Sequence, residues 1–313
     1  LTYAGNKESI RQSIESGRCR FINGNICDYE LVLSVMRDHG VNRIVHFAAE
    51  SHVDRSIHGP DIFVNTNIVG THNLLKAAKV VWLDRIGHDR KKVNCRFHHV
   101  STDEVYGSLS HAEAAFTEEN AYKPNSPYSA SKAASDHLVR AYHETYGLPI
   151  TISNCSNNYG PYQYPEKLIP LMILNMLQMK PLPVYGDGKN IRDWLHVSDH
   201  CNGINVILEK GKNGETYNIG GNSEITNIDL VNALCAIMDE ISPMSTGKSY
   251  ETLVTFVKDR PGHDLRYAID SSKMKKHFGW EPKEQIANGM KKTVRWYLEN
   301  MQWISAVKGI DYD

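Results

Sequence analysis

The sequence predicts an α/β protein with a doubly wound parallel sheet, because short apolar segments alternate along the chain with amphipathic ones. The short segments have the length of buried strands, and they cover residues 43–48, 96–101 and 149–153. The longer segments place apolar residues at helical spacing, and they cover residues 28–39, about 60–82 and 128–146. Strand–helix units repeated at this length favour a parallel sheet with helices on both faces.

Glycine and proline mark the ends of these elements. Gly40 follows the first helix, and Gly147 with Pro149 closes the helix over 128–146. Past about residue 160 prolines cluster and the elements become shorter, with a strand pattern at 215–219 and a helix pattern at 228–241. We therefore predict a first domain over residues 1–160. A smaller mixed α/β domain is predicted over residues 161–313, partly interleaved with the first.

Composition and charge exclude several classes of protein. The 313 residues carry a formal net charge of -1, with 23% charged and 41% hydrophobic residues, as in an ordinary globular protein. These values exclude a strongly basic nucleic-acid binder and a disordered chain. The longest apolar run, residues 168–177, is far shorter than the roughly 20 residues that span a bilayer. We expect neither nucleic acid nor a membrane as a partner.

The cysteine and histidine patterns predict no metal site. None of the six cysteines forms a C-x-x-C pair, and the 15 histidines include no H-E-x-x-H sequence. His98 and His99 are neighbours on a predicted strand, so their side chains point to opposite faces and cannot share a metal ion. With no secretory signal pattern in the sequence, reduced thiols in a cytoplasmic protein are expected.

Tyr128 and Lys132 are four residues apart on a predicted helix and therefore project from one face. A nearby ammonium favours the phenolate and lowers the pKa of a tyrosine, which ordinarily lies near ~10. Such a pair exchanges a proton with an alcohol while the same carbon loses a hydride. An ordinary surface pair is the alternative, because this spacing is common. The position after a strand and a long loop favours the catalytic interpretation.

Asp103 and Glu104 follow the predicted strand over 96–101, in the sequence S-T-D-E-V-Y-G. In a parallel sheet, ligands gather at the carboxyl ends of the strands. The environment of two adjacent carboxyls raises one pKa and leaves the other group ionised in several enzymes. A protonated Asp103 would donate to a leaving hydroxyl, and an ionised Glu104 would remove a proton from carbon. The alternative is a solvated turn in which the two carboxylates cap the next segment.

The sequence F-A-A-E-S ends the first predicted strand. Ala48 and Ala49 are small enough for a planar cofactor to approach the backbone there. The alternative is that both alanines are merely core residues.

In their order along the chain, these motifs resemble those of the dTDP-glucose 4,6-dehydratase family, within the extended short-chain dehydrogenase/reductase superfamily. The motifs are A-A-E-S-H-V-D-R-S, S-T-D-E-V-Y-G, Y-S-A-S-K, C-S-N-N-Y-G-P, I-R-D-W and D-R-P-G-H-D, and the match runs from Leu1 to about Trp303. Tyr-x-x-x-Lys is typical of the superfamily, and Thr-Asp-Glu of the dehydratase branch. The resemblance implies a Rossmann-type fold, NAD as cofactor, dTDP-glucose as substrate and a homodimer.

The resemblance also implies a mechanism: oxidation at C4, elimination of water across C5 and C6, and hydride return to C6. Tyr128, assisted by Lys132, would take the proton of O4, and Thr102 would hydrogen-bond near O4. Glu104 would remove the C5 hydrogen, and Asp103 would protonate the departing C6 hydroxyl. The product would be dTDP-4-keto-6-deoxyglucose. Residues 1–160 would bind NAD, and residues 161–313 would bind mainly the sugar nucleotide.

Family positions carry over to each ligand. For NAD they are Leu1, Thr2, Asn25, Ile26, Phe47, Ala48, Ala49, Glu50, Ser51, Thr66, Tyr128, Lys132 and Asn157. For the sugar nucleotide they are Ser51, Thr102, Asn157, Lys167, Leu168, Pro183, Tyr185, Arg192, Asn227, Arg260 and His263. Arginine forks pair with phosphate oxygens through two hydrogen bonds. The alternative for Arg192 and Arg260 is a surface ion pair with Asp193 or Asp259.

The sequence departs from the family pattern in two places. Asn25-Ile26 stands where the family has Asp-Ile, and an asparagine carbonyl still accepts a hydrogen bond from an adenine amino group. No glycine-rich turn for the pyrophosphate precedes Asp28, so the first strand–helix–strand unit is expected to be missing from residues 1–313. We expect residues 1–313 alone to bind NAD weakly or to fold poorly. A sugar-nucleotide epimerase or decarboxylase, or a non-catalytic relative that binds a sugar nucleotide, remains the alternative.

Overall fold

The computed structural model describes residues 1–84 and 94–309. In these ranges the strands are β1 Arg43–His46, β2 Arg96–Thr102, β3 Ile150–Cys155, β4 Asn157–Tyr159, β5 Leu182–Tyr185, β6 Ile191–His196, β7 Thr216–Ile219, β8 Glu224–Thr226 and β9 Val254–Val257. The α-helices in these ranges are α1 Arg11–Glu15, α2 Tyr29–Asp38, α3 Val53–His58, α4 Asp61–Phe63, α5 Thr71–Lys79, α6 Pro127–Tyr146, α7 Leu168–Leu177, α8 Val197–Lys210, α9 Asn227–Ile241, α10 Ser272–Phe278, α11 Ile286–Glu299 and α12 Met301–Lys308.

The main sheet is parallel, with strand order β1-β2-β3-β7. A second sheet has the order β4-β6-β8, in which β8 runs antiparallel to β6. β5 and β9 form a separate parallel pair. Apolar side chains from α2, α5 and α6 cover one face of the main sheet, and those from α8 and α10 cover the other. The predicted doubly wound α/β fold is confirmed.

The first strand is shorter than predicted. β1 ends at His46, which is its last residue in register with β2, opposite His99. The predicted strand continued to residue 48, but the chain turns away and leaves Phe47 58% exposed. The cause lies three residues on, where the N–H and C=O of Glu50 bond to the amide of Asn67 instead of a neighbouring strand.

The predicted helix over about 60–82 is formed, with two irregular stretches. Its α-helical parts are α4 and α5, and residues Val64–Gly70 and Val80–Asp84 adopt π-helical turns. π-Helical turns inside α-helices are frequent at functional sites. The first stretch carries Asn67, the residue that fixes the loop after β1.

The long helix α6 begins and ends where the sequence predicts. Ser126 and Ser129 cap each other's backbone N–H groups, and Pro127 occupies the first turn. Gly147 ends the helix with φ 72°, the left-handed conformation that glycine adopts without strain. α6 thereby presents Tyr128 and Lys132 in its first two turns.

A separate apolar core forms among α7, α9, α11 and strands β5 and β6, with Ile173, Leu234 and Val294 fully buried in it. These elements all come after residue 160. The last strand of the main sheet, β7, also comes after residue 160, so the two halves of the chain interleave at the sheet. The boundary near residue 160 stays a prediction. In the part of the chain described, every helix is too short or too polar to span a bilayer.

Candidate active site

The candidate site lies at the carboxyl edge of the main sheet, where the chain leaves β1 and β2. Residues 47–52 follow β1, the short helical turn Asp103–Tyr106 follows β2, and Asn157 lies just past β3. α6 runs back against β2 and brings Tyr128 to this edge. Ligands bind at this edge in open parallel sheets.

The turn after β2 holds the two predicted carboxyls. The Thr102 side chain accepts a hydrogen bond from the Glu104 N–H at 3.3 Å and donates to Asp103 Oδ1 at 3.3 Å. Asp103 is 2% exposed, and its Oδ2 has no partner among the described residues. Glu104 lines the adjacent cavity. The alternative of a solvated Asp–Glu turn is excluded by this burial.

Burial and charge raise the pKa of both carboxyls. For Asp103 the pKa lies well above its ordinary value, first because of burial and then because of the Glu104 charge beside it. Burial also raises the pKa of Glu104, but the cations Arg260, Arg192 and Lys167 act in the opposite direction. Asp103 is therefore suited to donate a proton, and the cations favour the ionised form of Glu104.

Tyr128 and Lys132 are both buried, at 9% and 4% exposure, so the surface-pair alternative is excluded. The pKa of Tyr128 is shifted in the direction opposite to the lowering predicted from Lys132. Burial raises that pKa well above its ordinary value, and the charge of Glu104 raises it further. The Lys132 ammonium donates instead to the Val100 carbonyl oxygen at 2.7 Å.

Asn67 fixes the loop after β1 and was missed by sequence reasoning. Its Oδ1 accepts from the Glu50 N–H at 2.8 Å, and its Nδ2 donates to the Glu50 carbonyl at 3.0 Å and to Ser131 Oγ at 2.8 Å. Asn67 is 1% exposed. A buried asparagine within an apolar helix pattern was the available signal, because such a group must find partners.

A cavity of about 400 Å³ opens beside Glu104. The predicted sugar-nucleotide residues that line it are Ser51, Asn157, Lys167, Leu168, Pro183, Tyr185, Arg192, Asn227, Arg260 and His263. Thr102, the remaining one, lies behind Glu104 and is not among the lining residues. Further lining residues that the sequence did not single out are His52, Val53, Asp54, Glu166, Leu171, Met172, Val184, Trp194, Val231 and Tyr267.

The cations of the cavity have defined partners. Arg260 Nη1 lies 3.3 Å from Asp54 Oδ1, and its buried Nε has no partner among the described residues. Arg192 donates to the Asp264 carbonyl at 3.0 Å, and Lys167 donates to the Ser51 carbonyl at 2.8 Å. The surface ion pairs with Asp193 and Asp259 are not formed by these guanidinium groups. The cavity therefore presents cationic donors suited to a phosphorylated ligand.

Most of the other predicted NAD residues lie outside this cavity. Leu1 is 61% exposed, and its amino group lies 3.3 Å from Asn23 Oδ1. The side-chain oxygen of Asn25 accepts from the Cys27 N–H at 2.9 Å. The remaining ones are Thr2, Ile26, Phe47, Ala48, Ala49, Glu50 and Thr66. Ala48 is exposed and Ala49 is half-buried, so neither alanine is a fully buried core residue.

A tyrosine and a lysine one helical turn apart, held against the carboxyl edge of a doubly wound sheet, define the extended short-chain dehydrogenase/reductase class. Comparison with known proteins narrows this class. A family model described as GDP-mannose 4,6 dehydratase matches residues 1–293. The chain belongs to the dTDP-glucose 4,6-dehydratase family, since its relatives of that name are about half identical to it over its whole length.

One such relative is the dTDP-glucose 4,6-dehydratase of Salmonella typhimurium, which is 53% identical over 320 residues, covering 100% of this chain and 88% of the relative. The enzyme of Escherichia coli is 54% identical over 322 residues, with the same coverage. The crystal structure of DesIV, the dTDP-glucose 4,6-dehydratase of Streptomyces venezuelae, contains NAD and TYD. It matches this chain with a TM-score of 0.88 and 47% identity, covering 98% of this chain and 88% of DesIV.

Proposed function

We propose that this protein is an NAD-dependent hydro-lyase that converts dTDP-glucose to dTDP-4-keto-6-deoxyglucose. The observation that carries the proposal is the pair of a buried Asp103 and a cavity-lining Glu104 beside the Tyr128–Lys132 pair. Oxidation of an alcohol needs only the tyrosine and the lysine. Elimination of water needs in addition an acid and a base, and the two carboxyls supply both.

The residues of the site divide the proton transfers among them. Tyr128 takes the proton of the sugar O4, with Lys132 beside it and Thr102 hydrogen-bonded near O4. Glu104 removes the proton from C5, which the neighbouring C4 ketone makes acidic. Asp103 gives its proton to the C6 hydroxyl, which leaves as water, and C5 is then reprotonated to give the product. Positioned proton transfers of this kind each contribute about 10²–10⁴-fold in rate.

NAD, when bound, supplies reversible redox chemistry at C4 and C6 without being consumed. The residues proposed to hold it are those of the loop after β1, from Phe47 to Ser51, together with Thr66, Lys132 and Asn157. Small residues in this loop allow a cofactor to approach the backbone. Asn67 holds the loop in place through hydrogen bonds to the backbone of Glu50.

The cationic side of the cavity is proposed to bind the diphosphate of the substrate. Arg192, Arg260 and Lys167 converge on the same space as Glu104. The unpartnered Nε of Arg260 leaves a donor for a phosphate oxygen. Leu168, Pro183, Tyr185, Asn227 and His263 complete this side.

Replacing both carboxyls tests the proposal. We expect Asp103→Asn with Glu104→Gln to abolish water loss while the bound cofactor is still reduced transiently, because Tyr128 and Lys132 are unchanged. Ketosugar absorbance measures the product, and nicotinamide absorbance follows the first step. The control is Asp187→Asn with Glu119→Gln, which removes two exposed carboxylates.

Three outcomes would contradict this assignment. Ketosugar formed by the double variant at the parental rate would exclude Asp103 and Glu104 as the acid and base. A sugar inverted at C4, formed by the parent protein, would indicate an epimerase. No turnover by the parent protein at a concentration of NAD shown to saturate it would indicate a relative that only binds a sugar nucleotide.

We further propose a cytoplasmic homodimer that contributes to deoxysugar biosynthesis. On α6 the side chains of Ala134 and Leu138 are half-buried and that of Ala141 is exposed, which leaves an apolar stripe for a second copy. The native mass in solution tests the dimer. Within this assembly, residues 1–160 are proposed as the cofactor domain and residues 161–313 as mainly the substrate domain.

A further inference from the structure

A cluster of polar side chains lies buried around Lys132. The Lys132 Nζ is 3.4 Å from His99 Nε2, and the same His99 nitrogen is 3.2 Å from Asp136 Oδ1. The other carboxylate oxygen, Asp136 Oδ2, accepts a hydrogen bond from Ser101 Oγ at 2.8 Å. His99, Asp136, Lys132 and Ser101 are 0%, 2%, 4% and 3% exposed. Water therefore does not separate these groups.

Lys132 and Asp136 are one helical turn apart on α6 and face the same side of it. A single ring nitrogen of His99 lies between their charged ends. Buried charges are found paired with an opposite charge, because an isolated one is costly in a medium of low polarity. The proton transfers proposed for Tyr128 do not use Asp136, so its burial there needs another explanation.

We propose that Asp136 is a positioning residue that keeps Lys132 charged and fixes its place beside Tyr128. The Asp136 carboxylate acts on the Lys132 ammonium through space, across the His99 ring, and Ser101 fixes the orientation of that carboxylate. This inference rests on the role proposed for Lys132 in the dehydration reaction.

Among the groups described around Lys132, Asp136 supplies the negative charge that balances the ammonium. Burial lowers the pKa of Lys132, and Asp136 opposes that effect. His99 and His46 on β1, whose rings are tilted against each other with centroids 5.1 Å apart, have pKa values well below the ordinary one because of burial, so both are neutral. On β3, burial raises the pKa of the Cys155 thiol to about 12, so it carries no charge near neutral pH.

On the other side of Asp136 are the Tyr122 phenol, from the segment before α6, and His137. Both lower the pKa of Asp136, as does Lys132, but burial outweighs them and raises it to about 6. Above that value the carboxylate is ionised. Near neutral pH, the Lys132 ammonium and the Asp136 carboxylate therefore face each other as opposite charges across His99.

The direct test is the pKa of Lys132 itself, measured by NMR on lysine-labelled protein in the absence of substrate. The Lys132 signal is assigned from its loss in Lys132→Met. We expect Asp136→Asn to lower this pKa by about 1 to 3 units, the shift typical of removing a close opposite charge. The matched control is Glu144→Gln, which removes an exposed carboxylate from the same helix and leaves the pKa of Lys132 unchanged.

The kinetic counterpart is the basic limb of the pH profile of kcat for ketosugar formation. It moves to lower pH in Asp136→Asn by the same amount as the NMR titration, and thermal unfolding shows whether the variant is folded. A folded Asp136→Asn with an unchanged Lys132 pKa would overturn the inference.

If Asp136→Asn does not fold, the pKa of Lys132 is measured in Ser101→Ala instead. This variant keeps the Asp136 carboxylate but removes the hydrogen bond that orients it. We therefore expect a smaller shift of the Lys132 pKa in the same direction. No shift would overturn the inference. The NMR measurement needs no turnover. Failure of the parent protein to form ketosugar would therefore count against the proposed function alone.

Discussion

At the scale of single residues, burial sets the protonation of the groups in the site. Asp103 is nearly inaccessible to water and next to Glu104, so its pKa lies well above that of an exposed aspartate. Cations that face the cavity offset the same effect on Glu104. Two adjacent carboxyls thereby acquire the different proton affinities that an acid and a base require.

Tyr128 is predicted to be needed for oxidation at C4 and not for binding. We expect Tyr128→Phe to lower kcat/KM by about 10²–10⁴-fold, because it removes the group that takes the O4 proton. Calorimetry should show the affinity for dTDP unchanged, since Tyr128 does not line the cavity. The control is Tyr142→Phe on the same helix, which removes a hydroxyl bonded to His72 Nδ1 at 3.2 Å. Equal losses in the two variants would contradict the assignment.

At the scale of elements, the turn after β2 depends on the glycine that ends it. Gly107 has φ 92°, and a Cβ placed there would lie 2.4 Å from the Lys123 carbonyl oxygen. No side chain fits this position without moving one of two backbone segments. The turn that carries Asp103 and Glu104 is thus held closely against the chain at Lys123.

Gly107→Ala should cost more stability than the left-handed backbone conformation alone. Gly40 is the matched control, because it has φ 58° and open space where a Cβ would lie. We expect Gly40→Ala to lower the free energy of unfolding by about 1–2 kcal/mol. Gly107→Ala should lower it further and also reduce ketosugar formation, as urea unfolding and turnover would show. Equal stability losses in the two variants would mean that the chain relieves the close contact with the Lys123 carbonyl oxygen without losing stability.

At the scale of the whole molecule, buried neutral histidines make the fold sensitive to acid. Burial lowers the pKa of His98 to about 3 and that of His200 to about 4. Both values lie below the ordinary pKa near ~6.5 that histidine has in an unfolded chain. Between these limits the unfolded chain binds more protons than the folded one. The histidine contribution to stability is therefore present above the ordinary pKa and falls as the pH drops below it.

Comparing variants isolates this effect from the buried carboxyls, whose raised pKa values act in the opposite direction. We expect parental stability to fall relative to His200→Asn as the pH drops from about 6.5 to about 4, by about 1.4 kcal/mol per pH unit. Urea unfolding at a series of pH values measures the difference. Exposed His111→Asn is the control and should show no such trend. A constant difference for His200→Asn would show that His200 does not titrate on unfolding.

Local sequence patterns and motifs were enough to predict the fold class and most residues that line the cavity. Alternating strand and helix patterns, with glycines at their ends, were sufficient for β2, β3 and α6, because these signals are local. Ten of the predicted sugar-nucleotide residues line one cavity. These residues were predicted from sequence motifs, because each one is recognised by the residues next to it in the sequence. The same patterns placed His98 and His99 on opposite faces, where His98 bonds to Thr151 and Ser153 and His99 meets Lys132 and Asp136.

Contacts between residues far apart in the chain could not be predicted from local patterns, because they form only when the chain is packed. Asn67 forms hydrogen bonds with Glu50 and Ser131, and Asp54 forms an ion pair with Arg260. These residues are too far apart in the sequence for a local pattern to predict the contacts. The same is true of the pKa of Tyr128, which sequence spacing predicted in the wrong direction. Spacing shows that an ammonium lies one helical turn away. Burial is a property of the packed molecule, and here it outweighs that charge because it removes the water that would stabilise a phenolate.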